Sequence, residues 1–433
     1  MSQLTVPVRW LILGLGITGL SCVRHLHRRG DTLAVWDSRR TPPGADTLAA
    51  EFPGVPLISG PFDAEALKLA QTLVVSPGIP LAHPAIAEAM AAGVEAIGDI
   101  ELFAREVDAP VVAITGSNGK STVTTLMGEM AREAGRSVGI GGNIGTPALD
   151  LLGRGHDCYV LELSSFQLET TTSLRPRIAT VLNVSDDHLD RYRDFGHYRD
   201  TKATIYAGAE LVLENADDPH TRSGRPDAWR FGLQRGEFRL EGGRLMARER
   251  PVLAAADMAL VGSHNQANAL AAIAMAEALG LEQAPMVKAL TRFGGLPHRC
   301  ETVAVKGGVH YVNDSKATNV GATLAALQGM KAFPGRLHLI AGGVGKGADF
   351  SPLAPWLNER VDQLVTLGQD GDAIAALKPG ALGCDSLEQG VRMLAERARP
   401  GDMVLLSPAC ASLDMFANYV ARGEAFRQAV EAL

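Results

Sequence analysis

Short apolar runs of strand length recur along the whole sequence, and after most of them the chain turns through glycine or polar residues into a helix-like segment. "RWLILGLGITGLSCVRHLHRRG" opens the series, followed by "TLAVWDSRRTPPG" and "TLVVSPGIP". Parallel neighbouring strands need a long crossover, which a helix supplies, so this alternation predicts an α/β chain with open, mostly parallel sheets. The runs fall into three groups, at 1–98, 99–300 and 301–433, read as three consecutive domains. The first and third read as Rossmann-like and the central one as P-loop ATPase-like. In such sheets ligands bind at the carboxyl edge of the strands, so three ligand-facing edges are expected. "GEFRLEGGRLMARER" in the middle group reads as a surface hairpin insertion.

The chain has 433 residues, 46% of them hydrophobic, ample for conventional cores. Its 41 basic and 48 acidic residues leave a net charge of -7, without the basic surplus of a protein that coats nucleic acid. The five cysteines, Cys22, Cys158, Cys300, Cys384 and Cys410, form no C-x-x-C pair, which argues against a zinc cage or a disulfide framework and for a reducing cytoplasm. Val8 to Leu20 has the apolarity of a signal peptide, but Gly14, Gly16 and Gly19 interrupt it, so it reads as a strand entering a turn. No other run is long enough to span a bilayer.

"AITGSNGKSTVTTLMGEM" has the chemistry of a phosphate loop. Gly116 and Gly119 let backbone N–H groups face an anion, Lys120 neutralises charge, Ser121 can ligate magnesium, and the helix that follows presents its positive end. The loop is a variant, because Ile114 stands where the usual pattern has its first glycine. "GLGITG", Gly14 to Gly19, is a second candidate, with Asp37 at the end of the next strand where a dinucleotide site places its ribose ligand. Tight strand–helix packing or another nucleotide diphosphate accounts for it equally well.

Glu162 ends an apolar strand in "CYVLELSSFQLE", a position suited to orienting magnesium. "NVSDDHLDRY" carries Asp186, Asp187, His188 and Asp190, read with equal weight as a functional turn or a solvated acidic one. Lys202, taken alone, reads as an exposed salt-bridge lysine. Downstream, "NDSKATN" and "GGVGKG" offer Asp314, Lys316, Thr318 and Lys346 in loops that can bind anions or merely connect elements. Cys410 in "SPACASLD" reads as a small residue at a helix entry rather than a nucleophile.

Taken in order, "GLGITGLS", "DSRRTPPG", "SPGIP", "TGSNGKST", "GGNIGTP", "LELSSFQLE", "NVSDDHLDRY", "GSHNQANALAA", "LPHRCE", "NDSKATN", "GGVGKGADF" and "LSPACASLDMF" resemble the Mur ligase family across nearly the whole chain. "LELSSFQLE" and "SPACASLD" point to its D-glutamate-adding branch. The resemblance implies an ATP-dependent amide ligase that joins D-glutamate to UDP-N-acetylmuramoyl-L-alanine through an acyl phosphate, in peptidoglycan precursor synthesis. It implies a soluble, cytoplasmic, monomeric enzyme with no nucleic-acid or membrane partner.

By position, the resemblance assigns ATP to Gly116, Ser117, Asn118, Gly119, Lys120, Ser121 and Thr122, with Asn265, Asn268, Arg299 and Asp314 on the adenosine side. It implies two magnesium sites, with Ser121 and Glu162 at one and His188 and a carbamylated Lys202 at the other. Lys120, His188 and Lys202 are the implied catalytic set. Thr18 would face the uridine diphosphate's phosphates, and Ser38 and Arg39 would lie near its uracil. Asn143 would contact the muramoyl part, and Ser76 and Ser164 are also implied substrate-binding residues. Lys316, Thr318, Lys346, Ser412 and Tyr419 would receive D-glutamate. Ser38 stands where some relatives have Thr, and Tyr419 where the pocket can carry Phe. "GLPHRCE" reads as a hinge. Three rivals remain at this stage: a related ligase for another amino acid or folate, an NAD-dependent oxidoreductase built on Gly14, Gly16, Gly19 and Asp37, and a nucleotide-binding regulator without turnover.

Overall fold

The computed structural model describes residues 6–260, 262–331 and 333–433. Three sheets follow one another along the chain. The first has five parallel strands in the spatial order Leu57–Ser59, Leu33–Asp37, Val8–Leu13, Ala70–Val75 and Glu95–Ile97. Val8–Leu13 lies at its centre, and Leu11, Ile12 and Leu13 are fully buried, which is why this strand reads as an unbroken apolar run.

The central sheet has nine strands, and its core is the parallel set Leu211–Asn215, Ile178–Val181, Val111–Thr115, Cys158–Glu162 and Val138–Gly142. The third has six strands, parallel except for the edge pair Glu301–Lys306 and Val309–Asn313. The expected α/β class with open, mostly parallel sheets is thus what the chain forms.

The surface-hairpin reading of "GEFRLEGGRLMARER" is corrected. Phe238–Glu241 and Arg244–Ala247 pair antiparallel, but Phe238–Glu241 also continues the sheet parallel to Trp229–Gly232, and Arg250–Ala254 adds a further strand. Phe238, Leu245, Ala247, Val252 and Leu253 join one core with the alanine-rich helix Ser263–Ala278. In Phe238–Glu241 and Arg244–Ala247 the period-two alternation buries Phe238, Leu245 and Ala247 and leaves Arg239, Glu241 and Arg244 on the other face, whereas Arg250–Ala254 buries the adjacent Val252 and Leu253.

The seams between the sheets differ in kind. One apolar cluster runs from the first sheet into the second, joining Trp10, Ile12 and Leu26 to Phe103, Val111 and Tyr159. Arg24 reinforces it with a two-pronged ion pair to Asp150, at 3.1 and 2.5 Å. The third sheet keeps its apolar clusters to itself and meets the centre through polar contacts and a close approach of helix Val320–Gly329 to the start of helix Ser263–Ala278, where Gly329 lies against the His264 ring. "GLPHRCE" lies at this second seam and holds three residues at positive φ: Gly295 (107°), His298 (62°) and Cys300 (47°).

Candidate active site

Strand Val111–Thr115 runs straight into the phosphate loop and then into helix Lys120–Glu133. Gly119 has φ 81°, and a Cβ there would lie 2.6 Å from Asn268 Oδ1, so any other residue would be strained in its backbone and would push the Asn268 side chain aside. The next strand end braces the loop. Asn118 N donates to Asn183 Oδ1 at 2.8 Å, Asn183 Nδ2 donates to Asn118 O at 3.0 Å, and Ser117 Oγ donates to Ser185 O at 3.0 Å. Nothing in the sequence of "NVSDDHLDRY" singles out Asn183 and Ser185; only the pairing of the strand ends reveals that they rigidify the loop.

A cavity of about 250 Å³ opens beside this loop and gathers Ser117, Asn118, Gly119, Lys120, Ser121, Asn143, Glu162, Ser164, His188, Lys202, Arg299, Lys316, Thr318 and Lys346. Lys120, Lys202, Arg299, Lys316 and Lys346 face only two carboxylates there, Glu162 and Asp187. Desolvation lowers Lys120, and desolvation with the neighbouring Arg299 and Lys120 brings Lys316 down to about 8. Such crowding of cations is what a polyanionic ligand relieves. Desolvation also holds His188 neutral, with a pKa of about 4.

Lys202 corrects the expectation of an exposed lysine. It is 2% exposed on helix Phe195–Ala203, donates to Gly116 O at 3.0 Å, and lies 4.6 Å over the Tyr198 ring. Burial, with Lys120 nearby, depresses its pKa strongly. The acidic turn divides: Asp186 and Asp190 are exposed, while Asp187 takes Lys346 Nζ at 2.6 Å and Asn319 Nδ2 at 3.0 Å. Burial works to raise the pKa of Asp187, but Lys346 and His188 hold it at about 2.

Glu162 is 3% exposed; its Oε1 accepts from Asn143 Nδ2 at 2.7 Å, and its buried Oε2 has no hydrogen-bond partner. Arg299 Nη2 donates to Ser121 Oγ at 2.7 Å, tying the third sheet's linker to the phosphate loop.

Two further cavities adjoin. One of about 400 Å³ brings Asn118, Gly119, Thr122, Asn265, Asn268, Arg299 and Asp314 together with apolar Leu182, Phe231, Leu260 and Leu296, a lining suited to a flat base. The other, about 510 Å³ at the carboxyl edge of the first sheet, is lined by Thr18, Ser38, Arg39, Ser76 and Asn143. Asn143 lines both this cavity and the charged one. Gly116, Ser412 and Tyr419 line none of the three. Gly116 instead offers its carbonyl to Lys120 and Lys202, Ser412 is buried, and Tyr419 stacks under Lys316 Nζ at 4.1 Å.

Asp37 does not stand free as a ribose ligand. Leu15 N and Arg39 Nη2 donate to its Oδ2 at 2.7 Å each, and Arg39 N and Nε donate to Oδ1 at 2.9 and 2.8 Å. Burial opposes ionisation, but these bonds hold its pKa at about 2. The oxidoreductase reading thereby loses the residue that would distinguish it. Cys410 is fully buried and its thiol is pushed up to about 12.

Comparison with known proteins accounts for all three sheets. Residues 8–98 match the model of the Mur ligase MurD-like N-terminal domain, residues 114–276 the Mur ligase middle domain, and residues 298–410 the Mur ligase glutamate ligase domain. The chain belongs to the Mur ligase family. Among curated relatives it is 52% identical over 430 residues to a UDP-N-acetylmuramoylalanine--D-glutamate ligase of Shewanella oneidensis, covering 98% of each chain. It is likewise 52% identical over 433 residues to the protein of that name from Escherichia coli K12, again covering 98% of each. Among solved structures, UDP-N-acetylmuramate-alanine ligase MurC from Thermotoga maritima shares this Mur ligase fold with a TM-score of 0.63 and 20% identity, over 98% of this chain and 99% of that one.

Proposed function

We propose that this Mur ligase adds D-glutamate to UDP-N-acetylmuramoyl-L-alanine at the expense of ATP. One observation carries the reading beyond family membership: five cationic side chains meet two carboxylates in a cavity floored by a phosphate loop, between a base-shaped cavity and the first-sheet cavity. The 52% identity to curated D-glutamate ligases supports the choice of amino acid.

In this reading the first sheet holds the uridine diphosphate part, the central one ATP, and the third D-glutamate. A carboxylate oxygen of the alanine attacks the γ-phosphorus, the bond to ADP breaks, and an acyl phosphate forms. The D-glutamate amine then adds to the carbonyl carbon, inorganic phosphate leaves, and the amine gives up a proton. Lys120 and Arg299 neutralise the developing phosphate charge, and the braced loop holds the phosphates without reorganising. Asn143, reaching both cavities, orients the muramoyl arm. Lys316, Thr318 and Lys346 receive the amino-acid carboxylates. Lys346 exchanges Asp187 for the substrate, and Ser412 and Tyr419 shape the pocket behind them.

Magnesium fits the donors present. Among the described residues no three His, Cys, Asp or Glu side chains cluster as a metal cage. Magnesium, however, needs only one or two protein oxygens beside substrate phosphates and water. The orphaned Glu162 Oε2 and the Ser121 hydroxyl are such oxygens at one site. His188, neutral, and Lys202 serve a second. Lys202 would carry a carbamate: burial favours its neutral amine, whose nitrogen adds to carbon dioxide and gives up a proton, leaving an anionic oxygen ligand. Bound magnesium would supply charge neutralisation at the phosphates. The enzyme acts as a cytoplasmic monomer in this reading, as the family resemblance implies.

Phosphate release from ATP with UDP-N-acetylmuramoyl-L-alanine, compared across D-glutamate, L-glutamate and other amino acids with product mass, tests the proposal. Release that depends on D-glutamate and yields the amide is expected. Dependence on another amino acid would overturn the substrate assignment, and release with none would overturn the ligase reading.

A further inference from the structure

A substrate anchored by its diphosphate in the first-sheet cavity, and reacting in the charged one, needs those two places at a fixed separation. One side chain touches the supports of both. Arg191, 13% exposed, donates from Nη1 to Pro77 O at 3.1 Å and from Nη2 to Glu169 Oε2 at 2.7 Å, and its guanidinium lies 4.4 Å over the Phe166 ring. Tyr192 Oη donates to the other oxygen of Glu169 at 2.7 Å, fixing the carboxylate that aims the fork.

On one side, Pro77 belongs to the loop that walls the first-sheet cavity. That loop packs on the glycine turn: a Cβ at Gly14 would lie 2.9 Å from Ser76 Oγ and 3.2 Å from Ile79 Cδ1. On the other side, the Phe166 ring meets the His188 imidazole edge-on at 4.8 Å. Arg191 N also donates to His188 O at 2.9 Å, closing the turn in which His188 holds φ 56°. A planar fork with a stacking face can make all these contacts at once, which a lysine cannot.

We propose that Arg191 is a positioning residue that sets the span between the diphosphate anchor and the His188 side of the reaction centre. The proposal rests on the muramoyl-nucleotide ligase reading. It makes Arg191 matter only when a substrate uses both anchors.

The test compares UDP-N-acetylmuramoyl-L-alanine with a truncated substrate that carries N-acetylmuramoyl-L-alanine without the uridine diphosphate. In Arg191→Met the kcat/KM for the full substrate is expected to fall roughly 30-fold, since misplacement on the ångström scale costs up to about 100-fold. For the truncated substrate it should stay within about threefold of the parent. The ratio between the two substrates is independent of the fraction of protein folded, and Arg191→Lys gives the same ratio should the methionine variant not fold. Equal losses with both substrates, or no loss with either, would overturn the proposal. Absence of D-glutamate-dependent turnover in the parent protein would instead mark failure of the ligase reading, before any variant is made.

Discussion

Alanine in place of a helix-interior glycine ordinarily stabilises a protein by about 1 kcal/mol. Gly423, inside helix Tyr419–Glu431, should do the opposite. A Cβ there would lie 2.2 Å from His298 Nδ1 and 2.9 Å from its Cε1 and Cγ. His298 is 5% exposed, so the ring cannot swing into water, and its Nδ1 already accepts from Asn313 Nδ2 at 2.9 Å. Relief requires the ring to move and that bond to break. Overpacking costs about 1–3 kcal/mol, and loss of one hydrogen bond about 1 kcal/mol more, since Asn313 Nδ2 keeps its second bond, to Gly423 O at 3.1 Å. Set against the propensity gain, Gly423→Ala should lose roughly 2 kcal/mol. In thermal melts that is a fall of roughly 5 °C for a unit of this size. Arg299 follows His298 and reaches Ser121, so the KM for ATP should rise as well. In a His298→Ala background the same substitution should become neutral or stabilising, which a double-mutant cycle reads directly. A single variant as stable as its parent would refute the argument.

Lys202→Ala should lower turnover at least ~100-fold, in keeping with the loss of one preorganised electrostatic partner. A small carboxylate such as acetate should restore part of it; full activity in the variant would remove the carbamate from the mechanism. Asp99 gives a pH signature. Burial raises its pKa from 3.8 to about 6, while Gln167 Nε2 donates to its Oδ2 at 3.1 Å. Because the folded pKa exceeds the unfolded one, the native state binds the extra proton between these values, and stability is lost as pH rises through about 6. Denaturant titrations should find that the stability of wild type relative to Asp99→Asn improves by roughly 1 kcal/mol from pH 7.5 to 5. A gap that stays constant with pH would show that Asp99 is not buried as described.

The strand–loop–helix alternation made the sheets and their ligand edges legible, because buried parallel strands must be apolar throughout and the loops after them must turn. Lys120 and Glu162 could be singled out from sequence, Lys120 because it follows a glycine turn after an apolar run and Glu162 because it ends one. Lys202 could not: its helix is polar by sequence, and only the packing of Tyr198 and the phosphate loop around it shows the amine to be buried. The 238–254 strands were misread for a related reason. An edge that is half buried carries as many charges as a surface hairpin, and what distinguishes it is the partner helix, some twenty residues away in sequence. Asp37 stayed open in the sequence because a strand-end carboxylate looks the same whether it awaits a ribose or is already committed to the arginine two residues on.

The two seams give these local facts a common consequence. Separating the first sheet from the second would expose a continuous apolar cluster, a cost that scales with the area laid bare. Separating the third from the second breaks polar contacts that water can replace at modest net cost, and one helix–helix contact, Val320–Gly329 on Ser263–Ala278, in place of a continuous apolar cluster. Motion should therefore concentrate at the second seam, where three residues at positive φ already hold the linker in a sharply turned path. The ties across that seam are groups the substrates would claim: Arg299 on Ser121, and Lys346 on Asp187. Binding of ATP and of the amino acid then draws on the same contacts that hold the third sheet in place. On the proposed site assignment, substrate occupancy and closure would be coupled through these shared charges, with no separate lock required.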